Sequence, residues 1–174
     1  MRIALVAAAG TMAMTVSGCG NDSAPAAAPT TEVKALAAGE YEVATKVEDL
    51  RSTDHTTPLT KAKQMAASDA PVIHRACVVA ERKIDAAMFA EAGDKCSVQN
   101  SYVDSGKINM QLSCTRSGAP GQVLQSVDGD YQADSFTATV NTGTYFTGSG
   151  DYAMRRTMTA KRVGACPAGG EKKA

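Results

Sequence analysis

Tryptophan is missing from this chain, and aromatic residues make up only 5% of it. So few rings supply no platform for stacking nucleobases and no aromatic cage for a quaternary ammonium ligand. Histidine is nearly as scarce. His55 and His74 are the two present in 174 residues, which limits imidazole metal ligation and general-base chemistry. An excess of either charge is lacking as well: 18 basic residues face 18 acidic ones, so no global field recruits nucleic acid or an anionic membrane. There is no Cys-x-x-Cys pair, which argues against a thioredoxin-type couple or a zinc knuckle. A Gly-x-Ser-x-Gly nucleophile elbow is also missing. These absences predict a protein that acts through shape, with no catalytic residues, no metal, no cofactor and no nucleic-acid partner.

What is there begins with an address. Arg2 precedes a short apolar run, Ile3 to Val16, too short to span a bilayer and suited to the core of a signal peptide. The run ends in Val16-Ser17-Gly18-Cys19. These four residues resemble the lipobox of bacterial lipoproteins, in which an aliphatic residue and two small ones precede the cysteine to be acylated. The resemblance implies cleavage after residue 18, lipidation of Cys19 and attachment to a membrane by more than one acyl chain, palmitate among them. Gly20-Asn21 follows, with no aspartate after Cys19, which implies the periplasmic side of the outer membrane in preference to the inner one. Residues 19–38 are rich in Ala, Pro, Ser and Thr and lack a hydrophobic period. They read as a flexible tether reaching roughly 60 Å at about 3.1 Å per residue.

Four cysteines then remain: Cys77, Cys96, Cys114 and Cys166. An even number in an exported chain reads as two disulfides, with three possible pairings. Cys96 and Cys114 stand at the outer ends of two extended runs around Val103-Asp104-Ser105-Gly106-Lys107. In the second run Ile108, Met110, Leu112 and Cys114 alternate with Asn109, Gln111, Ser113 and Thr115. A period of two marks a strand with one buried face, and Asp-Ser-Gly supplies the turn. A hairpin closed by Cys96–Cys114 is the simplest reading, which leaves Cys77–Cys166.

The remaining chain, 39–168, reads as one antiparallel β domain followed by a charged tail over 169–174. Gly39 to Glu48 alternates with Tyr41, Val43, Thr45 and Val47 facing inward. Pro71 to Val79 is a short strand, Thr60 to Ala70 a weak helix or an excursion, and Ala80 to Ala92 a helix with Ile84, Ala87 and Met88 on one face and Gly93 as its cap. Strands follow over Gln122–Val127, Ser135–Asn141 and Tyr152–Val163. Turns are expected at Gly118–Gly121 and Asp128–Asp130, with a loop or bulged hairpin at Gly143–Gly150. The fold class is therefore mainly β with a minor α part: an antiparallel meander whose curved sheet or partial barrel carries one short helix and two disulfides.

Gly39-Glu40-Tyr41-Glu42, the bracketing cysteines Cys77, Cys96 and Cys114, and Lys161-Arg162-Val163-Gly164-Ala165-Cys166 together resemble an uncharacterised bacterial exported family. It is catalogued as domain of unknown function thirty-six seventeen. Tyr41 stands where that pattern has tryptophan. The resemblance implies export and a disulfide-bearing antiparallel domain, and it carries no activity with it.

Two clusters draw the eye as sites. Asp128, Asp130 and Asp134 share a short stretch, but their spacing lacks the distal glutamate of a calcium loop and reads as a solvated turn. Arg156 shares the inward face of the last strand with Tyr152, Met154, Met158 and Ala160. A charge placed there needs a partner. Arg156, with Tyr152, Met154 and Met158, is the candidate ligand-binding set, an anion hook at the mouth of an apolar groove. The function expected is a lipid-anchored binding or interaction module of the cell envelope, engaging a small amphipathic ligand or an envelope protein. An envelope hydrolase and a purely structural lipoprotein are the alternatives.

Overall fold

The computed structural model of the protein describes residues 35–66 and 70–167. The expected signal peptide, Cys19, most of the tether and the charged tail lie outside the described residues.

Seven strands form a single antiparallel sheet. They are β1 (Gly39–Ser52), β2 (Val72–Val78), β3 (Asp94–Asp104), β4 (Lys107–Arg116), β5 (Ala119–Gln132), β6 (Ser135–Phe146) and β7 (Tyr152–Gly164). Their order across the sheet is β2-β1-β7-β6-β5-β4-β3. The chain thus runs as a hairpin meander from β3 to β7, and β1 returns to pair with β7, carrying β2 outside it. The sheet curls into a half-barrel around its apolar face. β2 and β3 are its two free edges.

Alternation in the sequence decides which side each residue takes. Tyr41, Val43, Thr45 and Val47 of β1, and Ile108, Met110, Leu112 and Cys114 of β4, are all buried, as a period of two requires of a one-sided sheet. The β3–β4 turn has Ser105 at φ 49° and Gly106 at φ 77°, the left-handed pair that a two-residue hairpin matching strand twist demands. Cys96 and Cys114 face each other in register and are joined, with Cα atoms 4.0 Å apart. Cys77 and Cys166 are joined as well, at a Cα separation of 5.8 Å. Both expected pairings are present.

The expected helix over Ala80–Ala92 does not form. A single 3₁₀ turn, Ala86–Met88, capped by Asp85 accepting from the Ala87 amide at 2.8 Å, stands in its place. Ile84, Ala86, Met88 and Phe89 are nonetheless buried in the main core, and Phe89 packs on Phe136 at 6.1 Å between ring centroids. The segment is a plug laid over the concave face between the two edges, so its apolar spacing serves burial from one side without helical hydrogen bonds. The Thr60–Ala70 stretch yields one helical turn, Lys63–Ala66.

Two further expectations differ. Asp128-Gly129-Asp130 is not a turn, because β5 continues through it to Gln132. A Cβ on Gly129 would stand 2.2 Å from the Thr137 carbonyl oxygen, so this glycine allows β5 to press against β6 where the sheet bends. Tyr145 and Phe146, expected in a loop, complete β6. Leu36 is fully buried and the Ala37 amide donates to the Ala133 carbonyl at 2.8 Å, so the packed region begins just ahead of β1.

Candidate functional site

The inward face of β7 carries Tyr152, Met154, Arg156 and Met158, and all four are buried. The sequence-predicted set is therefore assembled on one strand, looking into the half-barrel. Arg156 stands opposite Val47 of β1 and Val140 of β6. It is 4% exposed. One nitrogen, Nη2, donates to the Phe89 carbonyl at 2.7 Å. Its Nε has no acceptor, and among the described residues no carboxylate lies within 4 Å of it. Burial pulls the Arg156 guanidinium below the ordinary arginine value, opposed at longer range by Glu91, Tyr152 and Asp94. Arginine keeps its proton regardless, so a buried cation without an anionic contact partner is a standing cost.

Arg156 is not alone in lacking partners. Thr45 Oγ1, Thr142 Oγ1 and both polar atoms of the Gln125 amide are also buried and unpaired. Thr142 and Gln125 face each other across β6 and β5, one rung along from Arg156 on the same concave wall. Buried polar groups are normally satisfied, and these four atoms lie unpaired on the wall that carries Arg156.

Beside it lies a network that is satisfied. Arg116 grips Asp94 with two bonds, Nε to Oδ1 at 2.6 Å and Nη2 to Oδ2 at 2.8 Å, and its Nη2 lies 3.2 Å from Glu91. Glu91 accepts further bonds from the Tyr152 and Thr60 hydroxyls. The guanidinium of Arg116 also sits 5.6 Å from the ring centroids of both Phe146 and Tyr152, within cation–π range. Burial works against the Arg116 charge, yet Asp94 and Glu91 outweigh it and hold the group above the ordinary arginine value. Burial, followed by the Glu91 carboxylate, pushes the Tyr152 phenol well above its usual range. Tyr152 is thus a neutral donor committed to Glu91, which leaves Arg156 as the polar group of the predicted set still open to a guest.

Arg116, Glu91 and Asp94 were not singled out in the sequence. Arg116 had a signal: it extends the inward series Ile108, Met110, Leu112, Cys114 by two residues, as Arg156 extends Tyr152 and Met154. Glu91 and Asp94 had none, since they lie in the irregular plug and at the start of β3. The aspartates Asp128, Asp130 and Asp134 go to separate partners: Asn109, Lys107 and Arg162. Among the described residues no group of three metal-ligating side chains occurs.

His74 lies on β2 opposite Val43, at the sheet edge and near the plug. Its side chain is exposed on this edge strand; partial desolvation beside the plug lowers its pKa, with a Met88 backbone hydrogen bond opposing and the Arg156 charge adding to the fall. The unfolded chain therefore takes up this proton first as pH drops. Its contribution is complete above about pH 6.5 and is lost progressively below it. Because solvent screens an exposed group, the effect is small: the thermal midpoint is expected to fall slightly between pH 7 and 5, and His74→Gln to flatten that fall; equal slopes in both proteins would exclude the role.

A family profile described as "Protein of unknown function (DUF3617)" matches residues 36–166. The chain belongs to this family. The match starts at Leu36, where the packed region starts, and ends on Cys166, the last disulfide cysteine. No curated protein and no solved structure gives a significant match. This DUF3617 domain therefore has to be read from its own geometry.

Proposed function

We propose that this protein is a lipid-anchored binding module of a bacterial cell envelope, held at the periplasmic side of the outer membrane through Cys19. Its guest would be a small amphipathic molecule with an anionic head. The two joined cysteine pairs support folding in an oxidising compartment, and the lipobox-like residues 16–19 support the anchor. Binding rather than catalysis is the reading, because the polar atoms left open form no nucleophile–base pair.

The observation that carries this reading is Arg156, a buried guanidinium whose Nε is unpaired and which, among the described residues, has no carboxylate in contact. A carboxylate or phosphate head is the ligand that best satisfies it, accepting charge-assisted bonds in a dry setting. Met154 and Met158 beside it offer adaptable apolar contacts for a chain. Gln125 and Thr142 would take the polar edge of the head group. Entry requires the Ala80–Ala92 plug to shift, since Arg156 Nη2 latches it through the Phe89 carbonyl.

That latch also supports a second reading, in which Arg156 only staples the plug to the sheet in a structural envelope lipoprotein. Native mass spectrometry of protein extracted from its own membrane separates the two. The binding reading expects a noncovalent adduct of one small molecule per chain, lost in Arg156→Ala. Retention of the same adduct by the variant, or adduct-free wild-type protein, would favour the staple.

A further inference from the structure

The convex face of the sheet, on the far side from Arg156, carries a shallow groove of about 420 Å³. We infer that this groove is a second binding site, for a neutral oligosaccharide built of pyranose rings. It does not depend on the interior reading.

Two outward rungs of β5 and β6 make the groove, and Tyr145 from a third closes one end. Ser126 pairs with Asn141, Leu124 with Gly143, and Gln122 with Tyr145. Successive outward residues on a strand lie about 6.8 Å apart, so the three rungs cover about 14 Å. The middle rung is an apolar floor: Leu124 is 40% exposed, and a Cβ on Gly143 would meet nothing within 4 Å. That missing side chain is what opens the groove in the middle of a long strand. At one end Tyr145 exposes 64% of its surface. At the other stand the amides of Asn141 and Gln111, the latter opposite Ser126 on β4. Gln99 reaches in from β3 at the bulge between Val98 and Asn100.

The chemistry of this lining selects its guest. None of the side chains lining the groove is charged, and the cation at its rim, Arg155, already spends its Nε on Asn141. A pyranose is neutral and two-faced, with a patch of C–H bonds on one side and hydroxyls around its edge. The C–H patch suits the electron-rich face of an exposed tyrosine and the bare floor at Leu124 and Gly143. Carboxamides offer a donor pair and an acceptor side by side, matched to neighbouring hydroxyls. Asn141 is already oriented, because its Oδ1 accepts from Arg155 Nε at 3.2 Å and its NH₂ is left free to donate. Among the described residues the Gln111 amide has no hydrogen-bond partner.

The test is a titration of the full chain, isotope-labelled on nitrogen, with chitotetraose and separately with cellotetraose. The side-chain amide signals of Gln111 and Asn141 are expected to shift saturably with at least one of them. Which one does so distinguishes an acetamido-sugar polymer from a plain hexose glycan as the source. Tyr145→Ala is expected to weaken that binding about tenfold or more, and Gly143→Val to abolish it by filling the floor. The valine should leave the thermal midpoint in place, since its methyls enter open space and β-branched residues suit strands. No saturable shift with either sugar, or undiminished affinity in both variants, would overturn the assignment.

Discussion

Replacing Cys77 and Cys166 together by serine is expected to remove about 4.5 kcal/mol of stability. The bridge closes a separation of 89 residues, and in the chain-entropy account the long loop restricts the unfolded chain most. The location adds to the effect. β2 pairs only with β1, and Val72 and Ile73 on it are 44% and 53% exposed, so little apolar burial holds this edge in place. Cys77 ties it to the end of β7 across the intervening β1. Without the tie, β2 should lose amide-exchange protection first, and the plug that follows it should loosen next. Denaturant unfolding of the double-serine variant checks the magnitude, and reduced wild type, which opens both bridges, should lose more than this variant does. The corresponding change at Cys96 and Cys114, at a sequence separation of 18, is expected to cost about 3 kcal/mol. A smaller loss for the long loop than for the short one would mean the entropic account is wrong here.

Arg116→Met is expected to cost about 3–5 kcal/mol, because it strips the cation from two carboxylates that cannot reach water. The Asp94 side chain is fully buried and that of Glu91 is 8% exposed. The loss therefore measures abandoned charges and not the worth of the pair itself. For that reason the triple change Arg116→Met, Glu91→Gln, Asp94→Asn should recover much of it. The same network anchors the end of the plug through Glu91 and positions Tyr152, so the single variant should also raise amide exchange around Phe89. A single-variant loss below about 1 kcal/mol, the range of an exposed surface pair, would show the network to be solvated.

The sheet was legible in the chain because alternation is a direct record of a surface with one wet side. Tyr41 to Val47 and Ile108 to Cys114 state their orientation residue by residue, and the same record extends to the inward Arg156. The Cys96–Cys114 pair followed from register alone. Legibility stopped where burial and periodicity part company. The Ala80–Ala92 plug places Ile84, Ala86, Met88 and Phe89 in the core from an irregular path, so its spacing imitates a helix that tertiary packing does not need. Gly129 reads as a turn former, yet its value here is the room it gives two strands. The Arg116 network was invisible for a different reason. It joins residues from the plug, β3, β4 and β7, and no local pattern encodes a contact made by the curl of the whole sheet.

In the proposed function the half-barrel keeps a buried cation at Arg156 for the head of an anionic amphiphile. Fatty acid labelled with carbon-13 at its carboxyl group, titrated into the protein, tests it most directly. A single saturable bound carboxyl signal is predicted, ionising at lower pH than the free acid because the guanidinium favours its charged form, and missing in Arg156→Met. An identical bound signal in both proteins, or none in the wild type, would contradict the account.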